Sequence, residues 1–148
     1  MAEIAGTEAV IAVIGRWAPI DLAYIEKLEY LAASEDAASA VSIVALFQRR
    51  DGPGAWPSSD RGYCRVCLVF TGPANLSLKE FGRATQITGF YIEDISARQW
   101  EGLRFSVGDH ENGRIEFLCR EVRVLSASAL PPVSPPAVPR ELIWRLQS

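Results

Sequence analysis

Few residues in this chain could do chemistry, and the spacing of each group tests what that chemistry would be. Cys64-Arg-Val-Cys67 has the letters of a redox pair or half a zinc site. The pair lies within Tyr63–Thr71, however, where Cys64, Val66, Leu68 and Phe70 alternate as one face of a strand. Residues three apart on a strand point to opposite faces, so these thiols cannot easily bridge or grip one metal, and His110 with Cys119 supplies no second half-site. Structural thiols are expected. The sole histidine, His110, sits in Asp109-His110-Glu111 at a hairpin tip, where successive side chains diverge. Glu93-Asp94 is a carboxylate pair that strand alternation splits between faces, so acid–base work would need partners from elsewhere. No Gly-x-Ser-x-Gly elbow occurs, and no glycine-rich phosphate loop followed by Lys-Ser or Lys-Thr. The reading is a non-enzymatic protein with no catalytic residue, cofactor or metal.

A different chemistry is suggested by Arg104, Arg114 and Arg120 with Tyr91 and Leu118, a mix of arginine, aromatic and aliphatic residues of the kind enriched at protein-binding hot spots. Whether they share a surface depends on the hairpin that carries them. Leu103, Phe105 and Val107 alternate with polar neighbours, as do Ile115, Phe117 and Cys119. A two-residue Asn112-Gly113 turn would set Phe105 opposite Arg120 and split the apolar sets between faces. A three-residue Glu111-Asn112-Gly113 loop, with Gly113 left-handed, pairs Phe105 with Cys119 and Val107 with Phe117. That register sets Arg104 opposite Arg120, Ser106 opposite Leu118 and His110 opposite Arg114 on the outer face. Two arginines face to face are unfavourable unless something answers them, and Glu93 on the preceding strand is the in-fold candidate.

The remaining elements position this hairpin. Thr7 caps a short helix through Ile14 and Gly15 stops it. Trp17-Ala-Pro-Ile turns into Leu22–Leu31, read as a strand although Leu22, Ile25, Leu28 and Leu31 also fit helical spacing. Trp17 itself reads as a packing residue. Ala33–Ala40 is a loop, and Val41–Arg49 is apolar on both faces, as a central covered strand would be. Arg50–Gly62 is the longest internal loop and a candidate binding loop, rich enough in breakers that plain mobility is the simpler reading. Asn75–Leu78 is a short strand, and Lys79–Thr85 a link into a meander over Gln86–Leu125. In that meander Ile87–Ile95 is one strand with Phe90 and Ile92 inward. Ser96-Ala-Arg-Gln99 has capping-box spacing for one helical turn carrying Trp100, a lid on the sheet edge, and Gly102 ends it. Pro131–Pro139 is stiff and extended, and Pro139 starts a short helix through Leu146 that must dock or fray.

The fold class expected is α+β, mainly antiparallel β: a short N-terminal helix, a twisted or sandwich-like sheet ending in a meander, and a Pro-rich tail with a short C-terminal helix. Residues 1–130 form one globular domain and 131–148 the tail. With 148 residues and 49% hydrophobic content, the chain can bury a core without staples. A net charge of -3, from 15 basic and 18 acidic residues, argues against a general nucleic-acid surface. The Ala9–Ile14 run is too short to span a membrane and follows Glu3 and Glu8, so cytoplasmic residence is expected. Val41–Phe47 needs cover on both sides, which the tail helix or a second copy could give, so a homo-oligomer through the tail is open.

The run Ile14-Gly15-Arg16-Trp17-Ala-Pro-Ile, followed by Val66-Cys-Leu-Val-Phe70, Asn75-Leu-Ser-Leu78 and Ile87–Val124, resembles small bacterial immunity-type proteins found beside polymorphic toxins, among them the family called immunity protein fifty. Similarity extends over roughly Ile11–Leu125. It implies a non-enzymatic α+β protein that binds and neutralises a toxin. Where that kind carries a polar group after the Trp, this chain has Ala-Pro-Ile-Asp-Leu-Ala-Tyr. The alternative is a small-molecule-binding or housekeeping domain whose curved sheet encloses a pocket lined by Phe90, Phe105, Phe117 and Trp100; a filled interior would count against it.

Overall fold

The computed structural model describes residues 3–51, 54–81, 85–98 and 101–131. Its elements are helix α1 (Glu8–Ile14) and strands β1 (Leu22–Leu31), β2 (Ala40–Phe47), β3 (Tyr63–Thr71), β4 (Ala74–Leu78), β5 (Thr85–Gln86), β6 (Phe90–Asp94), β7 (Phe105–Asp109), β8 (Ile115–Cys119) and β9 (Glu121–Leu130). Short 3-10 turns occupy Pro19–Asp21 and Ser96–Arg98. The strands make two antiparallel sheets, one ordered β5-β1-β2-β3-β9 and the other β4-β8-β7-β6. The α+β, mainly antiparallel class follows directly, and Leu22–Leu31 is a strand over the span expected. Trp100 and the tail helix expected over 139–146 lie outside the described residues.

Alternation explains why the two sheets close on each other. Val41, Ile43, Ala45 and Phe47 of β2 and Cys64, Val66, Leu68 and Phe70 of β3 are fully buried, and they share one core with Phe105, Val107, Ile115, Phe117 and Cys119. Phe70 meets Phe117 edge to face with ring centroids 5.1 Å apart, which fixes the contact between the layers. Each such side chain contributes on the order of 1.5–3 kcal/mol through burial. Trp17 stacks on Phe47 at 5.7 Å, the packing role expected of it.

The sheets are also joined covalently at a corner. The β3–β9 ladder runs out at Thr71 and Glu121, and the β4–β8 ladder takes over at Ala74 and Leu118. One two-stranded ribbon therefore leaves the first sheet and enters the second, the way strands change layers in folded-over sandwiches. Gly72-Pro73 makes the bend on one strand and Arg120 alone makes it on the other. Gly72 has φ 66, and the Arg120 amide donates to the Thr71 carbonyl at 2.8 Å.

The hairpin register is the one the alternation predicts: Phe105 faces Cys119, Ser106 faces Leu118 and Val107 faces Phe117, with Gly113 left-handed at φ 59. The tip differs from the expected three-residue loop. The β7–β8 pairing stops before His110 and Arg114, and the buried Asp109 carboxylate closes the loop instead, accepting from the Ile115 amide at 2.9 Å and the Asn112 amide at 3.1 Å.

Other boundaries also shift. Thr7 is itself helical (φ -64, ψ -24) and its side chain makes no cap bond, whereas Gly15 does end α1, at φ 85 with its amide on the Ile11 carbonyl. The single strand expected over Ile87–Ile95 is divided, because Gly89 at φ 80 turns the chain from β5 in the first sheet to β6 in the second. Only β6, β7 and β8 form the meander; β9 belongs to the other sheet. Ser96 is capped rather than capping, since the Asp94 carboxylate accepts from both its amide at 2.8 Å and its hydroxyl at 2.6 Å.

Candidate protein-binding interface

The outer face of the β4-β8-β7-β6 sheet presents four of the five residues singled out from sequence. Leu118 sits at its centre, opposite Ser106 on one side and Ala74 on the other. Tyr91 lies opposite Gly108, with its hydroxyl where a β-carbon at that glycine would sit, and its ring stacks on His110 at 4.4 Å. A side chain at position 108 would lift Tyr91 off the sheet.

Arg104 and Arg120 come together at the corner. Both are exposed, and with Glu101, Gly102 and Glu121 they line a shallow depression of about 330 Å³. Arg120 also borders a second depression of about 380 Å³ with an apolar wall of Ala33, Ala38, Pro73, Ala74 and Leu103. Among the described residues neither guanidinium makes an ion pair, although Glu101 and Glu121 are close by. Glu93 does not answer Arg104: it lies opposite Ser106 and reaches Arg98 at 4.0 Å.

Arg114 is placed elsewhere. It is separated from Arg120 by the length of β8, roughly 20 Å of strand, and its guanidinium donates to the Gln86 carbonyl at 3.0 Å, tying the hairpin tip to β5. The sequence pattern put it on the same face; the fold spends it on a cross-sheet contact.

The opposite end of the molecule holds a polar network that alternation did not reveal. Asp21 is fully buried and takes both Arg16 nitrogens, at 2.6 and 2.9 Å, together with the Arg50 amide at 2.8 Å. Arg49 pairs with Asp51 at 2.7 Å, and that hydrogen-bonded guanidinium holds the Asp51 carboxyl below the usual carboxylate range. Gln48, 1% exposed, donates to the Ser58 carbonyl at 2.8 Å and accepts from the Ser58 amide at 2.7 Å, while its own carbonyl takes the Trp56 indole N–H at 2.8 Å. The 50–62 loop, read from sequence as breaker-rich and mobile, is thus pinned to the end of β2 at Trp56 and Ser58. A lone glutamine after an apolar strand run is the only sequence signal for this anchor.

The remaining chemical groups behave as packing. Cys64 and Cys119 are buried free thiols; burial pushes Cys64 up and Cys119 up to about 12, so neither is a ready nucleophile at neutral pH. Among the described residues no three His, Cys, Asp or Glu side chains are placed to hold a metal. Phe90, Phe105 and Phe117 are packed in the core, at most 2% exposed, which counts against a ligand cavity lined by them.

A family model, Immunity protein PIM8, matches residues 18–124. The chain belongs to this immunity protein family. No curated protein and no solved structure matches it. The immunity-type resemblance in the sequence is therefore met, with PIM8 as the matching family where immunity protein fifty served as the example. The PIM8 match runs from the turn before β1 to Val124 and contains the corner, Arg104, Arg120, Leu118 and Tyr91. Membership of an immunity protein family supports an immunity-type inhibitor role for the chain.

Proposed function

We propose that this chain acts in the cytoplasm as a non-enzymatic inhibitor that neutralises its toxin by binding it directly, through the corner and outer face of the β4-β8-β7-β6 sheet. The observation that carries the reading is the meeting of Arg104 and Arg120, exposed and without ion partners among the described residues, beside an apolar depression. Two adjacent guanidiniums gain when a partner carboxylate arrives between them, and Leu118 and Tyr91 continue the same face with the apolar and aromatic contact that anchors interfaces. Membership of an immunity family supplies the partner class.

The test is titration calorimetry of the full chain against the toxin encoded beside its gene. Arg104→Ala/Arg120→Ala should weaken binding by at least about 30-fold, the size of a hot-spot loss of some 2 kcal/mol. Unchanged affinity with an unchanged circular dichroism spectrum would sink the proposed face, and absence of any binding by the unmodified chain would sink direct neutralisation.

A further inference from the structure

Open sheet edges invite pairing, and proteins ordinarily guard them with charge, bulges or proline. Three edges here follow that rule. Beyond the two residues covered by β5, β1 carries Glu26, Lys27 and Glu29, with a register shift between Ile25 and Lys27. The β4 ladder is broken between Ala74 and Ser77, where Asn75 has φ 57. β6 ends in Glu93-Asp94.

The β9 edge is different. From Ser126 to Leu130 it pairs with β3 without interruption and contains no charge. Among the described residues its outer side is met only near the start, by the Ala5–Arg123 bridge and the Val124 amide on the Ala5 carbonyl at 2.8 Å. Beyond Val124, no backbone group among the described residues pairs with that side, and Ser126, Ser128 and Ala129 are exposed. Among the described residues, every second residue of this regular stretch therefore presents an unpaired amide and carbonyl.

We propose that Ser126–Leu130 pairs antiparallel with the same edge of a second copy, across a two-fold axis through Ser128. That register sets Ala127 against Ala129 and Ser126 against Leu130, so every opposed pair shares a face, as antiparallel pairing demands. The contact is self-complementary, and two five-stranded sheets become one continuous sheet. No like charges meet, although the chain as a whole carries -3. The segment that follows directly is a poor occupant, because five of the nine residues Pro131–Pro139 are prolines without an N–H to give a ladder. Edge pairing of this length buries little area, so association is concentration-dependent.

Sedimentation equilibrium of the full chain should show a mass rising with concentration from 16.3 kDa toward twice that. Ser126→Lys/Ser128→Lys should hold the mass at 16.3 kDa with an unchanged circular dichroism spectrum. Should that variant fail to fold, hydrogen exchange on the unmodified chain decides: the edge-facing amides of Ser126–Leu130, every second one because the others bond to β3, gain protection as concentration rises. A mass of one copy throughout, a lysine variant that dimerises like the parent, or edge amides protected only when toxin is added would each overturn the proposal. The toxin titration is independent of this outcome.

Discussion

At the end where β1 begins and β2 finishes, Arg16, Arg49 and Arg50 are all committed to the fold: Arg16 to buried Asp21, Arg49 to Asp51, and Arg50 through its amide to Asp21, with its guanidinium 4.8 Å from the Trp56 ring centroid. At the opposite end, where β8 turns into β9, Arg104 and Arg120 stand together with no ion partner among the described residues. The residue type is the same and the surroundings reverse its use. Buried Asp21 needs Arg16 to satisfy it, and that arginine becomes part of the architecture; at the corner Glu101 and Glu121 stay solvated, and Arg104 and Arg120 are left for a partner. The two ends should therefore respond oppositely to mutation, one in stability and one in binding.

The largest effect belongs to Asp21→Ala. It strands the Arg50 amide and leaves Arg16, itself a third exposed, without its carboxylate, which should cost about 3 kcal/mol. Urea unfolding should show the midpoint fall with little change in slope. A loss below about 1 kcal/mol would make the two ends equivalent in stability and end the contrast. Next is Gln48→Ala, which leaves the Ser58 amide and carbonyl without their partners and should cost about 2–3 kcal/mol. Trp56 fluorescence reports the same event locally, since its indole is anchored on the Gln48 carbonyl.

How much of this could be read beforehand differs between the ends for physical reasons. The β7–β8 register was legible because a period of two, combined with a burial requirement, leaves one permissible loop offset. The corner carries its own signal in the sequence: apolar positions are odd-numbered through Ile115, Phe117 and Cys119, then even-numbered at Val122 and Val124. A phase change across a single residue, Arg120, marks a strand that changes sheets. For the same reason alternation alone runs β9 on into the meander, whereas it is a strand of the other layer. The Asp21–Arg50 and Gln48–Ser58 contacts join residues 29 and 10 positions apart, and no local periodicity encodes such meetings. Strand alternation places Arg114 on the interface face, but it lies beyond the last β7–β8 pair, and its guanidinium turns to the Gln86 carbonyl.

Gly72→Ala probes the corner's backbone. A side chain at φ 66 is strained by about 1–2 kcal/mol, and its β-carbon would sit 2.9 Å from Cδ of Arg120, which must shift. Stability should fall by that modest amount while toxin affinity falls further, because Arg120 is re-aimed; affinity falling only in proportion to stability would argue that the corner geometry does not matter for binding. Alkali provides a gentler test of the core between the ends. Burial raises Cys119 to about 12 from 9.0 and Tyr63 to about 12 from 10.0. Well below pH 9 both groups are protonated in folded and unfolded chains, so stability is flat there. Above it the unfolded chain ionises first, and stability falls by at most about 1.4 kcal/mol per pH unit for each group. Melting temperature followed against pH should begin to drop near 9, and more gently in Cys119→Ala, whose melting temperature starts lower.

The smallest expected effect on stability is the one that makes the comparison useful. Arg104→Ala/Arg120→Ala removes two exposed side chains that hold no ion pair among the described residues, and the Arg120 amide bond to Thr71 is untouched because it is made by the backbone. The change in unfolding free energy should stay within about 0.5 kcal/mol, and relief of the repulsion between the two guanidiniums could place it on the stabilising side. A loss of 2 kcal/mol or more in urea unfolding would mean that the pair is consumed by the fold after all, as Arg16 is, and a simultaneous loss of toxin affinity would then report misfolding instead of a missing contact.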